Sequence, residues 1–315
     1  MYEKNIEALK ETVARHGVIR NVKFHRKPDG TMDVEGNLKL WNDAMAAFDQ
    51  WKLWPEGTPG FDDRDPLQPE PYMAFVPAPA GVENPGTIIV AHGGGFSTRT
   101  GCEGVNVAEF FHRAGFATAI LTYRLLPYTR YDCVADMQRA IRLLRWKKDE
   151  LGISGKIAVM GFSAGGMLSA NCATHFDNGD PTAADPAERE SCRPDACVCG
   201  YGAFTGASFP GGPMSRPNPL MGNTYADVLW FAPEKNLTLD TPPFFIWQTL
   251  SDDGRHGLNL AKHLSDFRLN YELHIFQNGL HGCAMADGEN DLALNEPHVT
   301  HWGRLCAEWL KLNGI

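Results

Sequence analysis

The sequence predicts an α/β fold with a mostly parallel central sheet flanked by helices, and three observations predict it. From residue 72 onward, short apolar runs alternate with stretches of helical periodicity, the pattern of successive βαβ units. One run, Lys156-Ile157-Ala158-Val159-Met160, leads into Gly161-Phe162-Ser163-Ala164-Gly165-Gly166 and then into the helix-compatible Met167 to Ala173. Another, Thr87-Ile88-Ile89-Val90-Ala91, leads into His92-Gly93-Gly94-Gly95-Phe96.

Taken in order, residues 2–16 read as an amphipathic helix with Ile6, Leu9 and Val13 on one side, ended by Gly17. Pro28-Asp29-Gly30-Thr31 is a turn signal between two short β-like runs. Residues 38–54 carry Leu38, Leu40, Trp41, Met45, Phe48, Trp51 and Trp54 and read as a helix packed on the main domain; Trp54 to Gly60 then breaks regular structure. Residues 61–71 are acidic and proline-rich, a loop by composition. Strands are predicted at 72–76, 87–91, 117–122, 156–160, 196–201, 243–249 and 271–276. Helices are predicted at about 103–114, 131–151, 164–176, 257–269 and 298–312. Residues 204–242 are rich in Gly, Pro and Asn, and a long aperiodic insertion of this kind commonly forms a lid or substrate wall. The resulting division is an N-terminal helical extension, 1–52, packing on a main domain, 53–315.

Composition narrows the function classes. Hydrophobic residues make up 43% and charged residues 21% of 315, ordinary for a globular chain with a large core. A net charge of −9 argues against nucleic acid, whose phosphates need a basic face. No apolar run reaches membrane-spanning length. The start, Met1-Tyr2-Glu3-Lys4-Asn5, has no basic segment followed by an apolar one, so a cytoplasmic location is expected. The eight cysteines are scattered, several inside apolar patterns, as expected of buried thiols in a reducing compartment. Cys192, Cys197 and Cys199 lack the paired spacing of a zinc site, and there is no HExxH motif. Neither metal nor cofactor is expected.

Strand, G-x-S-x-G, helix is the context of a nucleophile elbow. A serine on so sharp a turn is held in a strained backbone conformation and needs small neighbours, which Gly161, Ala164, Gly165 and Gly166 supply. Its hydroxyl then stands at a helix N-terminus, which favours developing negative charge. The triglycine after 87–91 leaves backbone N–H groups unobstructed beside a substrate carbonyl. The amides of Gly94 and Gly95, joined by that of Ala164, are the expected oxyanion donors. A general base should follow on a loop after a late strand. His281, in Gly279-Leu280-His281-Gly282, fits better than His263 and His301 in helical patterns, His274 inside a strand, or His256. The acid should follow the strand 243–249, which leaves Asp252 and Asp253.

Together these blocks resemble the α/β-hydrolase superfamily and, more narrowly, the acetyl xylan esterase-like carbohydrate esterases. The resemblance runs from about Leu53 to the C-terminus. It is carried by Leu53 to Gly60, His92 to Phe96, Tyr123-Arg124-Leu125, Asp136 to Arg145, Ala232 to Lys235 and Thr241 to Trp247. In these relatives the acid strand ends in Thr, the acid stands three positions later and an Asn seven after it. Thr249, Asp252 and Asn259 reproduce that spacing, so the resemblance favours Asp252 over Asp253. Arg255 and His256 stand where the family usually has Val-Pro, a departure that bears on the shape of the acid loop and on substrate fit.

The resemblance implies a serine esterase that removes acetyl groups from acetylated, xylo-oligosaccharide-like substrates; a general short-chain carboxylesterase would share the same residues. Trp54, Phe96, Tyr201, Trp230 and Trp247 are available as aromatic faces for a sugar, although aromatics mainly fill interiors. Phe96, Tyr201 and Trp230 are the ones assigned to substrate. The expected partner is a small ester or oligosaccharide ester, with no nucleic acid or membrane, and self-association is left open.

Overall fold

The computed structural model describes residues 2–14, 27–31, 33–62, 64–211, 213–289 and 294–315. In chain order the elements are α1 (Glu3–Ala14), α2 (Val34–Met45), β1 (Trp51–Lys52), β2 (Tyr72–Val76), β3 (Thr87–Ala91), α3 (Val105–Arg113) and β4 (Ala117–Thr122). Next come α4 (Arg130–Trp146), α5 (Lys148–Leu151), β5 (Ile157–Phe162), α6 (Ala164–Thr174), β6 (Ala196–Gly200) and α7 (Tyr225–Trp230). The chain closes with β7 (Phe244–Thr249), α8 (Arg255–Asp266), β8 (Tyr271–Phe276) and α9 (His301–Leu312).

The strands form one eight-stranded sheet in the order β1-β2-β4-β3-β5-β6-β7-β8. β2 is antiparallel to both neighbours, and every pair from β4 to β8 is parallel. From β3 the chain first adds β4 on one side and then crosses to β5 on the other. The carboxyl ends of β3 and β5 therefore flank a topological switch point, where open α/β sheets leave a crevice.

Helices cover both faces of the sheet, so β2 to β7 are buried throughout and read as continuous apolar runs. Alternation sorts the side chains. Ile89, Ala91, Ile157 and Val159 pack with Met137, Ile141 and Leu144 of α4, Leu168 of α6 and Leu260 of α8. Ile88, Val90, Met160 and Phe162 pack on the opposite face with Leu9, Trp41, Phe111, Trp302 and Leu310.

The structure departs from the sequence reading chiefly near the N-terminus. The stretch 38–54 is not one helix. α2 starts four residues earlier, where the Asp33 side chain accepts the Gly36 N–H, and ends at Met45. Trp51 and Lys52 then pair with Met73 and Tyr72 as an edge strand. The aromatic residues along this stretch serve two elements, which blurs their periodicity. The end of α1 expected at Gly17 lies outside the described residues, as does the β-like run before the 28–31 turn; the run after that turn is the start of α2. The predicted helix 131–151 is two, broken at Lys147.

Asn5 donates to the carbonyls of Asp49 and Phe75, and the Trp41 indole donates to Thr122. The N-terminal residues thus lie along the sheet itself. Residues 204–242 hold short helical turns and α7.

Candidate active site

Ser163 sits at the junction of β5 and α6 with φ 53° and ψ −119°, a conformation few non-glycine residues adopt. Its N–H donates to the Gly200 carbonyl across the strand ends at 3.0 Å. The turn is tolerated because Gly165 lets α6 approach β3: a Cβ there would collide with the Ala91 and His92 carbonyl oxygens.

His281 lies on the loop after β8, and its Nε2 is 2.8 Å from Ser163 Oγ. Its Nδ1 is 2.7 Å from Asp252 Oδ2 on the loop after β7. The carboxylate fixes Nδ1 as the protonated nitrogen, leaving Nε2 to accept from the serine. The two loops are tied together, since the Ser251 hydroxyl donates to the Gly279 carbonyl. Partial burial disfavours the charged ring, but the Asp252 hydrogen bond and charge, followed by the Glu103 charge, prevail and raise its pKa above the ordinary histidine value.

Of the two adjacent acids, Asp252 meets His281, whereas Asp253 turns to Arg255, which donates to it from Nε and Nη2 at 2.6 Å each. That pair holds the Asp253 carboxyl below its usual range. Arg255 also lies 4.8 Å over the Phe209 ring, and His256 Nδ1 accepts the Thr205 N–H at 3.3 Å. The residues that replace the family's Val-Pro therefore fasten the acid loop to the 204–242 segment. The other histidines are engaged elsewhere: His263 with the Asn259 carbonyl and His274 with Glu272, while His301 opens α9.

The triglycine turn lies beside the serine. A Cβ on Gly93 would come within 2.9 Å of Ser163 Cβ. Gly94 has φ 112°, open to glycine alone at little cost, and its carbonyl accepts the Thr98 N–H at 3.0 Å. The Gly95 backbone is exposed. Ala164 is the first residue of α6, so its N–H has no intrahelical acceptor. Below the turn, His92 stacks on Tyr123 with centroids 4.4 Å apart, and the Tyr123 hydroxyl donates to the His92 carbonyl at 2.7 Å.

The aromatic assignments need correction. Phe96 and Tyr201 are each 1% exposed, so neither ring presents a face to a sugar. Phe96 is covered by the Arg130 guanidinium at 4.8 Å. Tyr201 lies under the site, its ring edge-on to His281, and donates from its hydroxyl to Glu103. Trp230 is half-buried, stacked on His175 at the C-terminal end of α6, the end opposite Ser163. Trp247 is buried on Trp302, and Trp54 is half-buried with Arg124 over its ring. The Glu103 contact had no signal in the sequence, where this acid is one more residue at a helix start. Among the described residues no group of three or more His, Cys, Asp or Glu is arranged to hold a metal, all eight cysteines are buried thiols, and no helix is long and apolar enough to cross a membrane.

Residues 75–254 match the family model BD-FAE. The chain is 28% identical over 214 residues to endo-1,4-beta-xylanase B of Butyrivibrio fibrisolvens; the match covers 64% of this chain but spans only 33% of that relative's length. Among solved structures it resembles the acetyl ester-xyloside bifunctional hydrolase of Caldicellulosiruptor lactoaceticus, with TM-score 0.74 and 31% identity over 84% of this chain and 96% of that one. The carboxylesterase Cest-2923 of Lactobacillus plantarum shares the fold, with TM-score 0.63 and 22% identity over 78% and 92% of the two chains. The chain belongs to the BD-FAE family and is an acetyl xylan esterase-like member of the α/β-hydrolase superfamily.

Proposed function

We propose that this hydrolase removes acetyl groups from acetylated oligosaccharides of the xylo-oligosaccharide kind, through an acyl-enzyme on Ser163. The observation that carries the reading is the continuous hydrogen-bonded line from Ser163 Oγ through His281 to Asp252, 2.8 and 2.7 Å long in its two steps. The likeness to an acetyl ester-xyloside hydrolase supports the substrate class.

In this reading His281 Nε2 takes the Ser163 proton as Oγ attacks the acetyl carbonyl carbon. Asp252 keeps the ring in the needed tautomer and stabilises the imidazolium without itself being protonated. The N–H groups of Gly94, Gly95 and Ala164 face the oxygen that becomes negative, a contribution of about 3–4 kcal/mol per donor. His281 returns its proton to the sugar oxygen, which leaves as an alcohol, and a water deprotonated by the same ring releases acetate. The division into an extension over 1–52 and a catalytic unit over 53–315, with 204–242 walling the substrate, belongs to the same proposal. The Arg255 and His256 contacts to Phe209 and Thr205 support the wall.

The test is acetate release from a panel of acetylated xylo-oligosaccharides measured beside aryl acetates and aryl butyrates. A higher kcat/KM on the oligosaccharides supports the proposal. Equal or higher kcat/KM on the aryl esters, butyrates included, would replace it with a general short-chain carboxylesterase.

A further inference from the structure

Glu103 is a carboxylate that the hydrolytic steps above do not use. It is 1% exposed and lies directly beneath the reacting groups. Its Oε2 accepts the Gly93 N–H at 2.7 Å, and its Oε1 accepts the Tyr201 hydroxyl at 2.8 Å. The Tyr201 oxygen in turn accepts the Ala284 N–H at 3.0 Å. Ala284 stands three residues beyond His281 at φ 46°, and its carbonyl accepts the Trp302 indole N–H at 3.1 Å. An alanine held in the left-handed region needs partners that over-determine it, and here it is gripped from both sides.

The donor inventory specifies the charge state. Two donors converge on Glu103, and the Tyr201 hydroxyl, already accepting from Ala284, has its proton committed to Oε1. Burial raises the Glu103 carboxyl above its usual range, while the Tyr201 and Gly93 hydrogen bonds and the His281 charge oppose that rise and favour the ionised form. The titratable groups facing it are Tyr201 and Tyr123, Cys102 and Cys283, and His281 with Asp252 behind. Burial pushes both phenols and the Cys283 thiol up, the thiol to about 12. The charge of Glu103 adds to that of Asp252 in favouring the protonated form of His281.

We propose that Glu103 is a positioning residue for ester hydrolysis: it anchors the Gly93 peptide, and with it the Gly94–Gly95 turn, and through Tyr201 and Ala284 it anchors the His281 loop, so that the oxyanion donors and the base reach Ser163 in register. This rests on the reading of Ser163 and His281 as nucleophile and base. Glu103 touches neither substrate nor the reacting atoms; it acts by holding the two loops to one buried charge and by adding that charge beneath the imidazolium.

The experiment compares wild type, Glu103→Gln and Tyr201→Phe in kcat, KM, the pH profile of kcat/KM, the thermal midpoint, and the rate at which a fluorophosphonate ester labels Ser163. Glutamine keeps the shape but turns an NH2 group toward one of the two donors. The expected result for Glu103→Gln is a kcat lowered roughly ten- to hundredfold, a KM within about threefold of wild type, slower serine labelling, and an acidic limb displaced to lower pH because a negative charge beside His281 is gone. Tyr201→Phe retains the charge, so it should lower kcat with the limb in place, and it tests the relay even if the glutamine variant does not fold. Wild-type kcat and an unmoved limb in Glu103→Gln would overturn the proposal. A kcat loss that merely follows a lowered thermal midpoint, again with the limb unmoved, would do the same. Wild-type enzyme that hydrolyses esters but is not labelled at Ser163 would instead overturn the nucleophile reading, and this proposal with it.

Discussion

The two sides of the candidate site are built differently. On the nucleophile side, Ser163 and the Gly93–Gly95 turn grow from the ends of central strands β5 and β3, and their geometry is dictated by close packing of α6 on the sheet. On the acid–base side, Asp252 and His281 stand on loops beyond β7 and β8, at the edge of the sheet. The His281 side chain is 52% exposed, and hydrogen bonds between loops align it. The difference teaches that substitutions on the first side act through the fold, while those on the second act on chemistry with the fold left standing. Ser163 is the exception on its own side, because its hydroxyl contributes to no packing.

The largest effect tests that exception. Ser163→Ala should lower acetate release roughly a millionfold with no fall in the thermal midpoint; residual activity near wild type would remove Ser163 from the reaction. On the acid–base side, Asp252→Asn should cost roughly ten-thousandfold in kcat by favouring the wrong imidazole tautomer, again with an intact melting curve. Asp253→Asn, which frees Arg255, should stay within about tenfold of wild type, as expected of a surface pair. The reverse ranking would transfer the acid's role by one residue.

Packing variants should show the opposite signature. Asp136→Ala takes the nearest carboxylate, at 2.8 Å, from the Arg124 guanidinium, itself 2% exposed, leaves it the longer Asp132 pair at 3.3 Å, and should cost about 3 kcal/mol in denaturant unfolding. Gly165→Ala drives a methyl group into the β3 carbonyls and should cost about 1–3 kcal/mol. Stable Gly165→Ala protein with full activity would break the distinction between the two sides.

The smallest effect is in the pH profile. In the proposed reaction His281 is a base only when neutral, and its pKa is raised. The acidic limb of kcat/KM should therefore fall above the ordinary histidine value of about 6.5, with activity lost as pH drops through it. The same shift makes protonated His281 a stabilising group in the fold. That contribution is complete below the unfolded-state pKa and disappears as pH rises through the folded one. A limb below the ordinary value would contradict the Asp252 and Glu103 contacts.

Much of this was legible in residues and spacing. Strands β2, β3 and β4 begin and end where the apolar runs predict, because strands buried on both faces are largely apolar, and so does the half-buried edge strand β8. The elbow was legible because its turn demands small residues at set offsets, and the glycines around Ser163 meet that demand at short range. The N-terminal stretch was not: the apolar spacing from Leu38 to Trp54 suits one helix, and nothing local says that Trp51 pairs with Met73 more than twenty positions away.

What the sequence by itself determined was the order of strands β2 to β8 with the longer helices between them, the identity of the serine and histidine that meet, and the two acids between which a choice remained. Those follow from short-range rules of backbone geometry and periodicity. Only the tertiary structure decided that Asp252 faces His281 while Asp253 faces Arg255, that Phe96 and Tyr201 point inward, and that Glu103 joins two loops. Each of these is a matter of where a side chain points once distant segments have packed, and adjacent residues of one loop can point to opposite neighbours without any change in local pattern.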